Sequence, residues 1–146
     1  MNPTQGHRTA TVRPTDTERI LVVDDDRDIL IFMKLALESE GIDVTCAERG
    51  EDALRLLAER SYGVLLTDQI MPGMDGFELA QHARRLQPEL IIFMGTGHLY
   101  LGIEERATAV GIREVFGKPF NFQRLFEQLL EALSHNKGHQ STRRAE

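Results

Sequence analysis

Residues 64–76 read Val64-Leu65-Leu66-Thr67-Asp68-Gln69-Ile70-Met71-Pro72-Gly73-Met74-Asp75-Gly76. The stretch opens as a short apolar run with β-propensity, which suits a fully buried strand. It reaches one carboxylate, Asp68, and then breaks into a loop punctuated by Pro72, Gly73 and Gly76. A carboxylate at the carboxyl end of a buried strand sits where open parallel sheets place their sites. Asp is also a common turn residue at strand ends. Asp68 therefore gains meaning only from what the rest of the chain brings beside it.

Working outward, strand and helix patterns alternate. Arg19 to Val23 is a short apolar run, and Asp28 to Ser39 carries Ile29, Ile31, Phe32, Leu35 and Ala36 at helical spacing, with Gly41 as the stop. Asp43 to Ala47 reads as the second strand, and Gly50 to Arg60 as the second helix through Ala53, Leu54, Leu56 and Leu57. The third pair is Gly63 to Thr67 and Phe77 to Leu86, ended near Pro88. Leu90 to Met94 and a weaker helix over Tyr100 to Val110 make the fourth. Ile112 to Phe116 and a strong helix over Phe122 to Leu133 make the fifth. Five repeats of strand then helix predict an α/β fold, a parallel sheet with helices on both faces. Five strands in so short a span fit the flavodoxin-like (βα)5 three-layer sandwich of order 2-1-3-4-5, whose site lies beside strands one and three.

At 146 residues the chain reads as one domain with room for a sizeable core. Residues 1–18, rich in Thr, Pro and Arg, read as a disordered N-terminal segment, 19–134 as the domain, and 135–146 as a flexible, slightly basic tail. A net charge of −6 argues against a nucleic-acid surface. The single cysteine, Cys46, allows no internal disulfide or thiolate cluster. No apolar run approaches membrane-span length, so a cytoplasmic protein is expected. The glycines form neither GxGxxG nor a Walker loop, which disfavours a dinucleotide or NTP site.

The polar residues converge. Strand one ends in Asp24-Asp25-Asp26, strand three in Asp68, strand four runs into Gly95-Thr96-Gly97-His98, and strand five ends in Gly117-Lys118-Pro119. In a parallel sheet these four ends open on one edge. Carboxylates about 4 Å apart repel by roughly 4 kcal/mol per pair at an effective dielectric of 20. Raised pKa values or a divalent cation must relieve that. Mg²⁺ takes hard oxygen ligands and binds through one or two carboxylates plus phosphate oxygens. The set suits phosphoryl transfer to a carboxylate, with Lys118 and the Thr96 hydroxyl on the remaining phosphate oxygens.

From Arg19 to Leu133 the chain resembles a bacterial two-component response regulator receiver domain, CheY-like, of the stand-alone kind or from the end of a hybrid sensor kinase. The resemblance rests on Ile20-Leu21-Val22-Val23-Asp24-Asp25-Asp26, on Thr67-Asp68 with Met71-Pro72-Gly73-Met74-Asp75-Gly76, on Thr96-Gly97-His98 and on Lys118-Pro119-Phe120. It implies that Asp68 accepts phosphate as an aspartyl phosphate. It further implies Mg²⁺ held by Asp24, Asp25, Asp68 and the backbone carbonyl of Ile70, with Thr96 and Lys118 on the phosphoryl group. Asp26 would start a helix, and the Lys118–Pro119 peptide would be cis. Implied partners are a histidine kinase or histidine phosphotransfer protein, and a downstream protein target on the helix 4–strand 5–helix 5 face, Tyr100 to Leu133. A homodimer is left open. The chain would not be an enzyme beyond its own phosphorylation and dephosphorylation. Ile70 and His98 would border the path of attacking water, with Ile70 as a shield.

Two positions depart from the family pattern: Val115 stands where Tyr or Phe is usual, with Phe116 beside it, and Gly95 stands where a bulkier apolar residue is usual. Two other functions compete. One is a phosphorylation-independent interaction module on the same fold. The other is an aspartate-nucleophile phosphatase, with Asp24 as nucleophile and Asp26 as acid/base.

Overall fold

The computed structural model describes residues 18–145, with side chains described over 18–134. Five strands alternate with five helices: β1 Arg19–Val23, α1 Arg27–Glu38, β2 Asp43–Ala47, α2 Gly50–Glu59, β3 Val64–Asp68, α3 Gly76–Leu86, β4 Ile91–Thr96, α4 Ile103–Ala109, β5 Ile112–Gly117 and α5 Phe122–Ala145. All strand pairs are parallel, in the order β2-β1-β3-β4-β5. This is the flavodoxin-like sandwich expected from the alternation.

Side chains alternate across the sheet because a strand has a period of two. One core therefore lies on each face. Leu21, Val23, Leu65, Ile92 and Met94 pack against Ala53 and Leu57 of α2, Leu79, Ala80 and Ala83 of α3, and Ile103 and Ala107 of α4. Ile20, Val22, Leu66, Phe93 and Phe116 pack against Leu30, Met33 and Leu37 of α1 and Leu125, Leu129 and Ala132 of α5. Both faces are buried, so the central strands read as near-continuous apolar runs.

The starts of α1 and α3 are fixed by side chains. Asp26 caps α1, its carboxylate accepting the Asp28 and Ile29 N–H groups. Asp75 and Glu78 form a reciprocal capping box at α3, which satisfies two N–H groups that the helix leaves orphaned.

Three elements differ from the sequence reading by more than a single residue at an end. β4 extends through Gly95 and Thr96, past the expected Met94. α4 starts at Ile103 and not at Tyr100, because Gly102 takes φ +95°, a left-handed turn that a helix cannot include. α5 does not end at Leu133: its backbone stays helical to Ala145, through residues read as a flexible tail. The apolar period stops at Leu133, but no proline follows to break the helix, and Gly138 costs only about 1 kcal/mol.

Candidate functional site

The register brings the carboxyl ends of four strands together. Val23 pairs with Thr67, Asp68 with Gly95, and Thr96 with Gly117. The residue after each apolar run then projects at the sheet edge. Strand alternation sorts these residues by face. Asp24 follows Val22, Asp68 follows Leu66 and Lys118 follows Phe116, so all three lie on the α1/α5 side. Gln69 continues the Leu65–Thr67 row and Thr96 follows Met94, so both lie on the α2–α4 side.

The α1/α5 side holds the charges. The Lys118 ammonium donates to Asp24 Oδ2 at 2.7 Å and pairs with Asp68 Oδ1 at 3.1 Å. Asp24 is 3% exposed, and its Oδ1 accepts the Asp26 N–H at 2.9 Å. Asp68 Oδ1 accepts the Gln69 N–H at 3.0 Å. Burial, followed by the negative charge of Asp24, pushes the Asp68 carboxyl above the usual Asp range against the pull of Lys118. Burial pulls the Lys118 ammonium down, but its hydrogen bond to Asp24 and the charges of Asp24 and Asp68 outweigh that and raise it. Lys118 is therefore a fixed cation.

Carboxylate oxygens of Asp24, Asp25 and Asp68 lie within 4.8 Å of one another. Three carboxylates and one ammonium leave a charge of −2, which one divalent cation cancels. The oxygens are hard donors, and Asp25 is exposed, which gives an ion a route in. The residues present therefore fit Mg²⁺.

Phe120 closes the side of the site. A Cβ on Gly95 would meet the Phe120 ring at 2.6 Å and Lys118 Cε at 3.5 Å. The missing side chain at position 95 is thus the space that the Phe120 ring fills. Between Asp24, Asp68, Lys118, Ile29 and Phe120 remains a cavity of about 10 Å³, room for about one water. It is no pocket for an organic substrate. Asp26 is committed to the α1 cap, so it is not placed as the acid/base of an Asp24 phosphatase. The Lys118–Pro119 peptide is cis.

Of the sequence-predicted residues, Asp24, Asp25, Asp68 and Lys118 are brought together. Thr96 adjoins them along β4, is 1% exposed, and donates its hydroxyl proton to the Gln69 carboxamide. Ile70 and His98 stand exposed in the two loops flanking the site. Gln69 was missed. The signal was available: Gln69 and Thr96 have the same parity, each continuing a buried apolar row of adjacent strands. Also missed was an apolar patch at the rim. Ile31, Phe32 and Leu35 of α1 are exposed, and the Phe32 ring packs at 4.6 Å on that of Phe122.

Comparison with known proteins agrees with this geometry. Residues 20–130 match the family model described as the response regulator receiver domain. The chain is 36% identical over 116 residues to the response regulator receiver protein CpdR of Brucella abortus, covering 80% of this chain and 97% of that protein. It is 33% identical to the DNA-binding transcriptional regulator NtrC of Salmonella typhimurium, covering 87% of this chain but only 27% of the relative. The virulence sensor protein BvgS of Bordetella pertussis is 32% identical over 84% of this chain and 10% of its own length. Among solved structures, a CheY-like receiver domain protein from Methanospirillum hungatei superposes with a TM-score of 0.79 at 32% identity, covering 84% of this chain and 98% of that one. With strand order, carboxylate cluster and lysine all in place, the chain belongs to the response regulator receiver domain family of two-component systems.

Proposed function

We propose that the chain is the phosphoacceptor of a two-component phosphorelay, with Asp68 as the residue that carries the phosphoryl group. One observation supports this above the others: a single ammonium, Lys118, bridges two carboxylates at the ends of β1 and β3, while Asp25 completes an acidic cluster open to solvent. Such a site suits a divalent cation and a transferring phosphoryl group.

The reaction would transfer phosphate from a phosphohistidine of a kinase or phosphotransfer protein. An Asp68 carboxylate oxygen attacks phosphorus, the P–N bond breaks, and the imidazole leaves and takes up a proton. The product is a mixed carboxylic–phosphoric anhydride on Asp68. Mg²⁺ held by Asp24, Asp25, Asp68 and the Ile70 carbonyl would neutralise charge on the transferring group. Lys118, kept charged by Asp24, would hold one phosphoryl oxygen, and the Thr96 hydroxyl another. Phe120 and Ile29 would keep bulk water from the anhydride on the cavity side.

The charge added at Asp68 would then shift a conformational equilibrium, read by a protein target on the α4–β5–α5 face. Leu99, Tyr100 and Leu101, exposed beside that face, supply apolar contact area. The setting would be cytoplasmic; among the described residues no helix is long and apolar enough to cross a membrane. The phosphorylation-independent module remains the competing reading, favoured by Val115 at the usual aromatic position.

Intact-mass spectrometry after incubation with Mg²⁺ and acetyl phosphate tests the assignment. One labile phosphoryl adduct is expected on the wild type, absent without Mg²⁺ and absent in Asp68→Asn. An adduct that survives Asp68→Asn would overturn the assignment of Asp68.

A further inference from the structure

Gln69 is a buried polar residue that the phosphoacceptor chemistry does not use. It is 9% exposed, and it touches both functional strands at once. Its N–H is shared between Asp68 Oδ1 at 3.0 Å and the Gly95 carbonyl at 2.9 Å, and its own carbonyl accepts the Gly76 N–H at 2.8 Å. With the backbone pinned on three sides, the side chain reaches across to β4, where its carboxamide oxygen accepts the Thr96 hydroxyl.

The bond runs from the Thr96 hydroxyl to the Gln69 carboxamide oxygen. Thr96 Oγ1 also accepts the His98 N–H at 3.0 Å. The other acceptor in reach, the His98 carbonyl, is at 3.5 Å, the limit of a hydrogen bond. A hydroxyl has one proton to give. Thr96 therefore cannot donate to Gln69 and to a phosphoryl oxygen on Asp68 at the same time. The two residues also lie on the sheet face opposite Asp68, so the hydroxyl must turn to reach the phosphoryl group.

We infer that Gln69 is a positioning residue for Thr96: its carboxamide holds the hydroxyl in the unphosphorylated protein and gives it up when Asp68 is phosphorylated. The inference rests on the phosphoacceptor reading of Asp68. It also bears on Val115. That residue packs beside the same core and pairs with Met94, two positions before Thr96 along β4. Val115 sets a short aliphatic side chain on this face, and Gln69 sets a hydrogen-bonding amide next to Asp68. The link between phosphoryl group and hydroxyl then runs through one residue whose N–H touches Asp68 and whose side chain touches Thr96.

The test compares loading rates by acetyl phosphate and Mg²⁺ in wild type, Gln69→Met, Thr96→Val and the double variant. Met keeps the length and removes the acceptor. Loss of one net hydrogen bond to the resting state is expected to speed loading about five-fold in Gln69→Met. In the Thr96→Val background the same change is expected to do nothing, which a general packing defect at position 69 would not reproduce. The Thr96 methyl resonance of unphosphorylated Gln69→Met should also move toward its position in the phosphorylated wild type. A five-fold gain that persists without the Thr96 hydroxyl, or no gain with it, overturns the inference. Should Gln69→Met fold poorly, protection of the Thr96 hydroxyl proton from solvent exchange is read in the wild type. It should be protected in the unphosphorylated protein. An unprotected hydroxyl before loading overturns the inference. A wild type with no adduct overturns the phosphoacceptor reading and the release step with it, whereas the hydroxyl measurement needs no phosphodonor and judges the bond alone.

Discussion

At the scale of single residues, Asp68 shows how function is set against stability. Its carboxyl is pushed up by burial first and by Asp24 second. A group whose folded pKa exceeds its unfolded value favours folding while protonated; that gain is complete below the ordinary Asp range and is lost as pH rises through the folded value. At neutral pH and without Mg²⁺, the ionised Asp68 is therefore a net burden on the fold. Asp68→Asn is expected to raise the melting temperature by roughly 3 °C, read by calorimetry without metal. Lys118 still has Asp24 in that variant, so no buried ammonium is orphaned. The same raised pKa predicts that Mg²⁺ affinity of the wild type falls as pH drops, starting above the ~3.9 at which an unperturbed Asp takes up its proton. Metal titrations from about pH 7.5 down to about pH 4.5 would show it, and a flat profile would count against Asp68 as a ligand. Ile70, exposed in the loop after β3, is the proposed shield of an acyl phosphate. Ile70→Asn should shorten the lifetime of the adduct about ten-fold, equivalent to ~1.4 kcal/mol off the hydrolysis barrier.

At the scale of elements, the loop from β3 to α3 holds the site in place. The Asp75–Glu78 capping box fixes its far end, with Asp75 accepting the Glu78 N–H at 2.9 Å and Glu78 accepting the Asp75 N–H at 3.1 Å. Asp75→Ala should cost about 1 kcal/mol, measured by urea unfolding. Gly76 marks the closest approach of α3 to the strand end. A Cβ there would overlap the Asp68 carbonyl oxygen and sit 3.1 Å from Gln69 Cα. Gly76→Ala should cost about 1–3 kcal/mol and slow loading, because the atoms that must shift belong to the backbone carrying Asp68. Much of this was legible beforehand. The strand ends Asp24, Asp68 and Lys118 were found because an apolar run that stops at a charge is a strong local signal. Asp26 was identified as a helix start through the family resemblance, and it caps α1. The α4 boundary was not, since nothing in Tyr100-Leu101-Gly102 says which φ the glycine adopts. Gln69 was not, since its hydrogen bond joins residues 27 positions apart and depends on the register of β3 against β4.

At the scale of the molecule, alternation of strand and helix left few sheet orders to choose from, and the right one was readable for that reason. Which face of α1 turns inward was not readable. The apolar spacing that reveals this helix runs through Ile29, Ile31, Phe32, Leu35 and Ala36, yet the residues it buries are Leu30, Met33 and Leu37. The helix is apolar on two sides, and only packing on α5 and the sheet decides between them. What is left outside is a patch of Ile31, Phe32 and Leu35, joined through Phe32 to Phe122 and Phe126. A single domain that leaves such a patch in water normally covers it with a partner. Its position is close to the site: Asp26, next to Asp25, caps α1, and Ile29 and Phe120 line the cavity beside Asp68. On the proposed phosphoacceptor reading, a protein that delivers a phosphohistidine to Asp68 would cover this rim, whereas a small phosphodonor need not. Ile31→Ala and Leu35→Ala remove exposed side chains only, so neither should alter loading by acetyl phosphate. With a histidine-phosphorylated donor that loads the wild type, each should slow transfer about ten-fold at subsaturating concentration, the scale of an interface anchor. Equal slowing with both donors would place the defect in the site itself. No slowing with either would mean that the donor approaches Asp68 from the α4 side, across Leu99, Tyr100 and Leu101.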